Sequence, residues 1–121
     1  MKKILIVEDH ADIRRLIRMT LEFDNYEIRE AVDGDSALAL AQEFEPDLLL
    51  LDVMMPGGLD GLDVCSMVKL QYKAPRVVLL SARGRSEDLE AGMQAGADAY
   101  LVKPFSPLAL IETINAQWEA A

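Results

Sequence analysis

Few of the residues that build covalent or soft-metal sites occur in this sequence. There is one cysteine, Cys65, so no internal disulfide and no cysteine-based zinc site can form. A lone thiol also fits a reducing compartment. There is one histidine, His10, which by itself makes neither a metal site nor a proton relay; it reads as an exposed residue at a pocket rim. Positive charge is scarce, with 12 basic against 21 acidic side chains and a formal charge of −9. That balance argues against direct nucleic acid binding or an anionic membrane surface, where affinity comes largely from neutralising phosphates. Long apolar runs are missing as well. The start, MKKILIVEDH, has two lysines and then only four apolar residues, too few for a signal-peptide core. No stretch approaches the roughly 20 residues of a membrane span. Low-complexity segments, linkers and internal repeats are also absent. These absences lead to the expectation of a soluble cytoplasmic protein. With 121 residues, half of them hydrophobic, it forms one domain over 1–121.

Among the residues present, Leu48–Pro56 (LLLLDVMMP) is the densest apolar stretch, and it runs straight into a carboxylate, Asp52. A short continuous apolar run with a turn signal at each end predicts a strand buried on both faces. Pro46-Asp47 opens it, and Pro56-Gly57-Gly58 closes the loop behind it. Asp52 therefore falls where a rigid strand ends, and in open parallel α/β sheets that is where ligands bind.

The remaining chain supplies the partners of that strand. Ile4–Val7 is a β-branched run followed by Glu8 and Asp9. Ile13, Leu16, Ile17, Thr20 and Leu21 recur at helical spacing and predict a helix ending near Asp24-Asn25. Tyr26–Glu30 alternates like a half-exposed edge strand. Asp33–Ser36 is turn and N-cap chemistry before a helix whose stripe is Ala37, Leu38, Ala41 and Phe44, stopped at Pro46. A third helix over about 61–69 turns Leu62, Cys65 and Val68 inward. Arg76–Leu80 is a fourth strand, ending at Ser81-Ala82; Glu87–Gln94 is a weaker helix closed by Gly96. Tyr100–Val102 is a fifth strand, followed by Lys103-Pro104. Ser106 and Pro107 start a last helix with the stripe Leu110, Ile111, Ile114 and Trp118. Five βα pairs imply an α/β fold: a single doubly wound, flavodoxin-like (βα)5 domain with a five-stranded parallel sheet in the order 2-1-3-4-5. That order makes the first and third strands neighbours and brings Glu8, Asp9 and Asp52 together.

Polar groups thus end four strands: Glu8 and Asp9, Asp52, Ser81, and Lys103. Three carboxylates about 5 Å apart repel by roughly 3 kcal/mol per pair at an effective dielectric near 20. A divalent cation among the oxygens offsets this, and magnesium suits a few carboxylates plus water and phosphate oxygens. Lys103 adds a point charge and Ser81 a hydroxyl donor. A carboxylate nucleophile, a metal, a lysine and a hydroxyl together describe phosphoryl transfer to aspartate.

At this point the chain resembles the receiver domains of two-component response regulators, the CheY-like family. IVEDH at 6–10, LLLLDVMMPGGLDG at 48–61, VVLLSA at 77–82 and AYLVKPF at 99–105 match that family's motifs in order, and the resemblance spans the whole chain. It implies Asp52 as phosphoacceptor and Mg2+ (or Mn2+) held by Glu8, Asp9, Asp52 and the backbone carbonyl of Met54. It also implies Ser81 and Lys103 as ligands of the phosphoryl group, Ser81 and Tyr100 as the switch pair, and a cis bond before Pro104. The implied donor is a sensor histidine kinase or a histidine phosphotransfer protein. The implied output is a changed surface on the fourth helix, fifth strand and fifth helix, read by a downstream protein or by a C-terminal effector domain not present in these residues. The domain would be a monomer or a phosphorylation-dependent dimer. It would be no enzyme beyond its own phosphorylation and dephosphorylation. Met54 and Arg83 match the two variable positions with which the family tunes dephosphorylation. One departure stands out: Gly57-Gly58-Leu59 puts three residues, not two, between Pro56 and Asp60-Gly61, and should loosen the start of the third helix.

Three other functions fit the same fold. A pseudo-receiver that only binds partners would not need the complete set of five groups. A flavin or nucleotide site would need glycines or hydroxyls after the first strand, where Glu8-Asp9-His10 instead repels phosphate. An aspartyl phosphohydrolase would carry a second Asp two residues after the nucleophile, where Met54 stands.

Overall fold

A computed structural model describes residues 1–120. Five strands, β1 (Lys2–Val7), β2 (Tyr26–Ala31), β3 (Leu48–Asp52), β4 (Arg76–Ser81) and β5 (Ala99–Val102), form one sheet in the order β2-β1-β3-β4-β5. Every neighbouring pair is parallel. Five helices alternate with them: α1 (Ala11–Leu21), α2 (Gly34–Phe44), α3 (Gly61–Val68), α4 (Ser86–Gln94) and α5 (Pro107–Glu119). The doubly wound architecture read from the sequence is the one observed.

The continuous apolar runs become central strands because each strand feeds two cores at once. Leu5, Val7, Leu49, Leu51, Val77 and Leu79 meet Ala37, Ala41 and Phe44 of α2 and Val64, Cys65 and Val68 of α3 on one face. Ile4, Ile6, Leu48, Leu50, Val78 and Leu80 meet Ile17 and Leu21 of α1 and Leu110 and Ile114 of α5 on the other. Each fully buried aliphatic side chain contributes roughly 2 kcal/mol, so the four leucines of β3 anchor the sheet. At the edge, β2 alternates between exposed and half-buried residues, as its alternating sequence requires.

Capping follows the sequence signals. Asp33 accepts from the Ser36 N–H at 2.8 Å to start α2, and Ser106 accepts from the Ala109 N–H at 3.0 Å ahead of Pro107 in α5. Glu45 ends α2 in a left-handed conformation, φ 51°, just before Pro46. Gly96 supplies φ 97° after α4. The Lys103-Pro104 bond is cis.

Several expectations need correction. α1 ends at Leu21, short of Asp24-Asn25, and Leu16 is exposed. The rest of the expected stripe holds, with Ile17, Thr20 and Leu21 buried and the Thr20 hydroxyl donating to the Leu16 carbonyl at 2.9 Å. In α3 Cys65 and Val68 turn inward as expected, but they are joined by Val64, and Leu62 is only half-buried. In α5 Gln117 is buried, accepting from the Arg76 guanidinium, while Trp118 lies half-buried with its indole N–H donating to the Tyr26 hydroxyl at 3.0 Å. The start of α3 is not loosened. A reciprocal capping box joins Asp60 and Asp63, and the Gly61 N–H donates to the Val53 carbonyl at 2.8 Å. The extra residue is absorbed in the loop, where Gly57 takes φ 95° and Leu59 packs beside Gly34 and the core.

Candidate functional site

Parallel strands end along one edge of the sheet, so the groups that follow them gather there. Val7 pairs with Leu51, Asp52 with Leu80, and Ser81 with Val102. Glu8 is fully buried, held at its backbone by its N–H donating to the Ala31 carbonyl. Arg14 of α1 donates to the Glu8 carbonyl at 2.8 Å and to the Glu30 carboxylate of β2 at 2.9 Å, clamping the end of β1 from the side. Asp52 is placed by the end of β3 and by the close approach of α3. A Cβ on Gly61 would lie 2.2 Å from the Asp52 carbonyl oxygen, so only glycine fits.

The side chains form a compact cluster. Lys103 donates to Glu8 Oε1 at 2.6 Å and lies 3.4 Å from Asp52 Oδ1. Asp52 Oδ1 also accepts the Met54 N–H at 3.3 Å. Glu8 Oε2 accepts the His10 N–H at 3.2 Å, and His10 Nδ1 sits 3.2 Å from the same oxygen. Glu8, Asp9, His10 and Asp52 each present one donor atom within 4.8 Å of the others. Two oxygens, Asp9 Oδ1 and Asp52 Oδ2, are buried with no hydrogen-bond partner among the described residues. The first lies 3.3 Å from His10 Nδ1, but without the geometry of a hydrogen bond.

The electrostatics follow from burial and crowding. Burial, then the neighbouring Glu8, push the Asp52 carboxyl up to about 7 against the partial opposition of Lys103. Burial would raise Glu8 too, but the hydrogen bond from Lys103, the neighbouring Asp52 carboxyl in its protonated form and the His10 backbone N–H outweigh it and hold Glu8 at about 2. The exposed His10 imidazole is raised by the hydrogen bond to Glu8 and then by the charge of Asp9. One lysine among three carboxylates leaves the cluster short of positive charge, and two buried oxygens lack donors. Oxygen ligands in that state fit a hard divalent cation such as Mg2+.

Ser81 and Tyr100 stand somewhat apart. Ser81 is buried, and its Oγ accepts the Arg83 N–H at 3.1 Å instead of bonding to Asp52. The Tyr100 hydroxyl donates to the Arg83 carbonyl at 2.8 Å. Both expected switch residues therefore grip the backbone of Arg83, a role that spacing alone did not reveal. Met54 and Arg83 line one open groove beside the cluster. Of the residues drawn in by the structure, Arg14 and Glu30 carried no sequence signal. His10 carried a weak one, its place directly after the acidic pair.

The sequence matches the response regulator receiver domain profile over residues 4–115. It is 47% identical over 114 residues to the transcriptional regulatory protein ResD of Bacillus subtilis (strain 168), covering 94% of this chain and 47% of that one. It is 44% identical over 117 residues to the phosphate regulon transcriptional regulatory protein PhoB of Klebsiella pneumoniae, covering 95% of this chain and 51% of that one. The chain thus spans about half the length of these curated relatives. Among solved structures it superposes on the Vibrio cholerae chemotaxis protein CheY4 with a TM-score of 0.90 at 34% identity, covering 96% and 98% of the two chains. The BeF3-activated DrrB receiver domain gives a TM-score of 0.89 at 29% identity, covering 98% of each chain. With four motifs in register, the fold and this profile match in agreement, the chain belongs to the response regulator receiver domain family.

Proposed function

We propose that Asp52 accepts a phosphoryl group from a phosphohistidine of a sensor histidine kinase or a histidine phosphotransfer protein. One Asp52 oxygen forms the new bond to phosphorus as the bond to the donor imidazole breaks. Glu8, Asp9, Asp52 and the Met54 carbonyl would hold Mg2+ (or Mn2+), which when bound neutralises phosphoryl charge and favours the ionised Asp52. Lys103, already between Glu8 and Asp52, pairs with the incoming anionic oxygens. The Ser81 hydroxyl keeps a proton to donate, and turning toward the phosphoryl group would release the Arg83 N–H it now accepts. Tyr100 holds the Arg83 carbonyl, so the same movement reaches β5 and the thinly anchored α4, whose only buried residue is Gly92. A local charge event thereby biases a two-state surface on α4, β5 and α5.

The observation that carries this reading is the buried, unpartnered Asp52 Oδ2 inside a cluster of ligand atoms beside Lys103. The domain serves as substrate and switch, catalysing only its own phosphorylation and dephosphorylation. Output then passes to a downstream protein or to an attached effector domain, in keeping with relatives about twice as long whose names are those of transcriptional regulators. The assembly is a monomer or a phosphorylation-dependent dimer in the cytoplasm. The test is intact mass after incubation with acetyl phosphate, with and without magnesium. A gain of one phosphoryl group that requires both magnesium and Asp52 is expected. A gain that persists in Asp52→Asn, or none even with a cognate phosphohistidine donor, overturns the assignment.

A further inference from the structure

We propose that His10 turns the acidic cluster into a site for nitrogen-preferring divalent metals such as Zn2+, bound through His10 Nδ1 together with Glu8, Asp9 and Asp52. The inference rests on the reading of that cluster as a cation site and adds a second class of metal to it. The His10 side chain is 64% exposed, yet its Nδ1 faces inward, held there by the hydrogen bond to Glu8. It lies 3.2 Å from Glu8 Oε2 and 3.3 Å from Asp9 Oδ1. Two donors each about 2.0–2.1 Å from a tetrahedral zinc ion lie roughly 3.3 Å apart, so these two spacings suit a shared metal, and all four donor atoms, within 4.8 Å of one another, would close around it. An independent observation points the same way. The Asp52 side chain is only 3% exposed, and its Oδ2 has no hydrogen-bond partner while belonging to the same cluster of donor atoms.

The chemistry of the ligand set gives the selectivity. Carboxylate oxygens alone favour magnesium or manganese, whereas an imidazole nitrogen raises affinity for nickel, copper and zinc far more than for magnesium. Nδ1 would bind the metal and leave Nε2 to carry its proton toward solvent. No other imidazole or thiol competes in the chain: the sole cysteine, Cys65, is fully buried with its thiol on the Ala95 carbonyl. Nitrogen-dependent binding therefore reports on His10 alone. A metal held this way occupies the same carboxylates as magnesium and competes with it.

The experiment titrates the full chain with Zn2+ and with Mg2+ by calorimetry, and records the visible absorption of bound Co2+. Wild type, His10→Ala and Asp52→Asn are compared. Zinc is expected to bind the wild type more tightly than magnesium does. His10→Ala should weaken zinc at least about tenfold and shift the cobalt bands, while magnesium affinity stays within about twofold. Asp52→Asn should weaken both metals. Unchanged zinc affinity and cobalt bands in His10→Ala, with magnesium still bound, overturn the proposal and leave the cation site standing. Failure of the wild type to bind either metal overturns both.

Discussion

Asp52 and Glu8 sit side by side in the same buried pocket, and their protons respond to pH in opposite directions. Folded Asp52 keeps its proton to about pH 7, while the unfolded side chain releases it near 3.8. Between those values the unfolded state holds fewer protons, so this group makes stability fall as pH rises. Glu8 is held at about 2 against 4.5 when unfolded, so its stabilising contribution is present above 4.5 and disappears as pH falls toward 2. In metal-free protein, Asp52→Asn removes the first burden and leaves the second group in place. The variant is expected to exceed wild type by about 1–4 kcal/mol at pH 7.5, with the gap closing below about pH 3, where Asp52 is largely protonated in both states. Urea denaturation across that range with a chelator present decides it, and a gap of constant size speaks against ionisation as the cause. At this scale the sequence was informative wherever a strand end dictated a residue's place, as for Glu8, Asp52 and Lys103. It placed His10 at the pocket rim and Arg83 at a variable position, but not their contacts, which depend on a ring rotation and on loop backbone that no spacing encodes.

The loop from β3 to α3 carries the one departure singled out in the sequence, the extra residue among Gly57-Gly58-Leu59. The departure is local because the two ends of the loop are fixed independently. Gly61 presses against the backbone at Asp52 and Val53, and the Asp60–Asp63 capping box closes the helix. Gly58 has no atom within 4 Å of a would-be Cβ and an unremarkable φ. Two alanine substitutions three residues apart should therefore behave in opposite ways. Gly61→Ala is expected to destabilise by about 1–3 kcal/mol, the usual range for overpacking, and to weaken magnesium binding by shifting the end of β3. Gly58→Ala should be neutral or stabilising by up to about 1 kcal/mol through the unfolded state. Denaturant midpoints and magnesium titrations of both variants test this, and equal effects would contradict the close approach at Gly61. All ten elements were legible as patterns, but helix faces were less so. Leu16 fits the apolar stripe by spacing yet faces solvent, while Thr20 is buried because its hydroxyl bonds back to its own helix. Val64 and Leu62 are both apolar, and only the position of β3 and α2 decides which of them turns inward.

On the scale of the whole molecule, the alternation of five strands and helices with right-handed parallel crossovers left a handful of topologies, of which 2-1-3-4-5 is a common one for five units and the one observed. What composition could not convey is how unevenly the negative charge is spread. A net charge of −9 over 121 residues is an ordinary solvated surface if dispersed, but here three carboxylates share one buried edge with a single lysine. A divalent cation that binds only the folded state stabilises it by mass action, by about 2.7 kcal/mol at one hundred times its dissociation constant. Magnesium should therefore raise the denaturation free energy by that amount. Sodium chloride at matched ionic strength should do much less, because it only screens the dispersed charge. Asp9→Asn separates the two effects. It removes one of the two unpartnered buried oxygens while changing net charge by a single unit. If it weakens the site tenfold, the magnesium gain drops to about 1.4 kcal/mol at the same concentration, with the sodium chloride response nearly unchanged. Should magnesium and sodium chloride stabilise wild type and Asp9→Asn alike, general screening and not a specific site would account for the effect, and the acidic edge would lose its standing as a cation site.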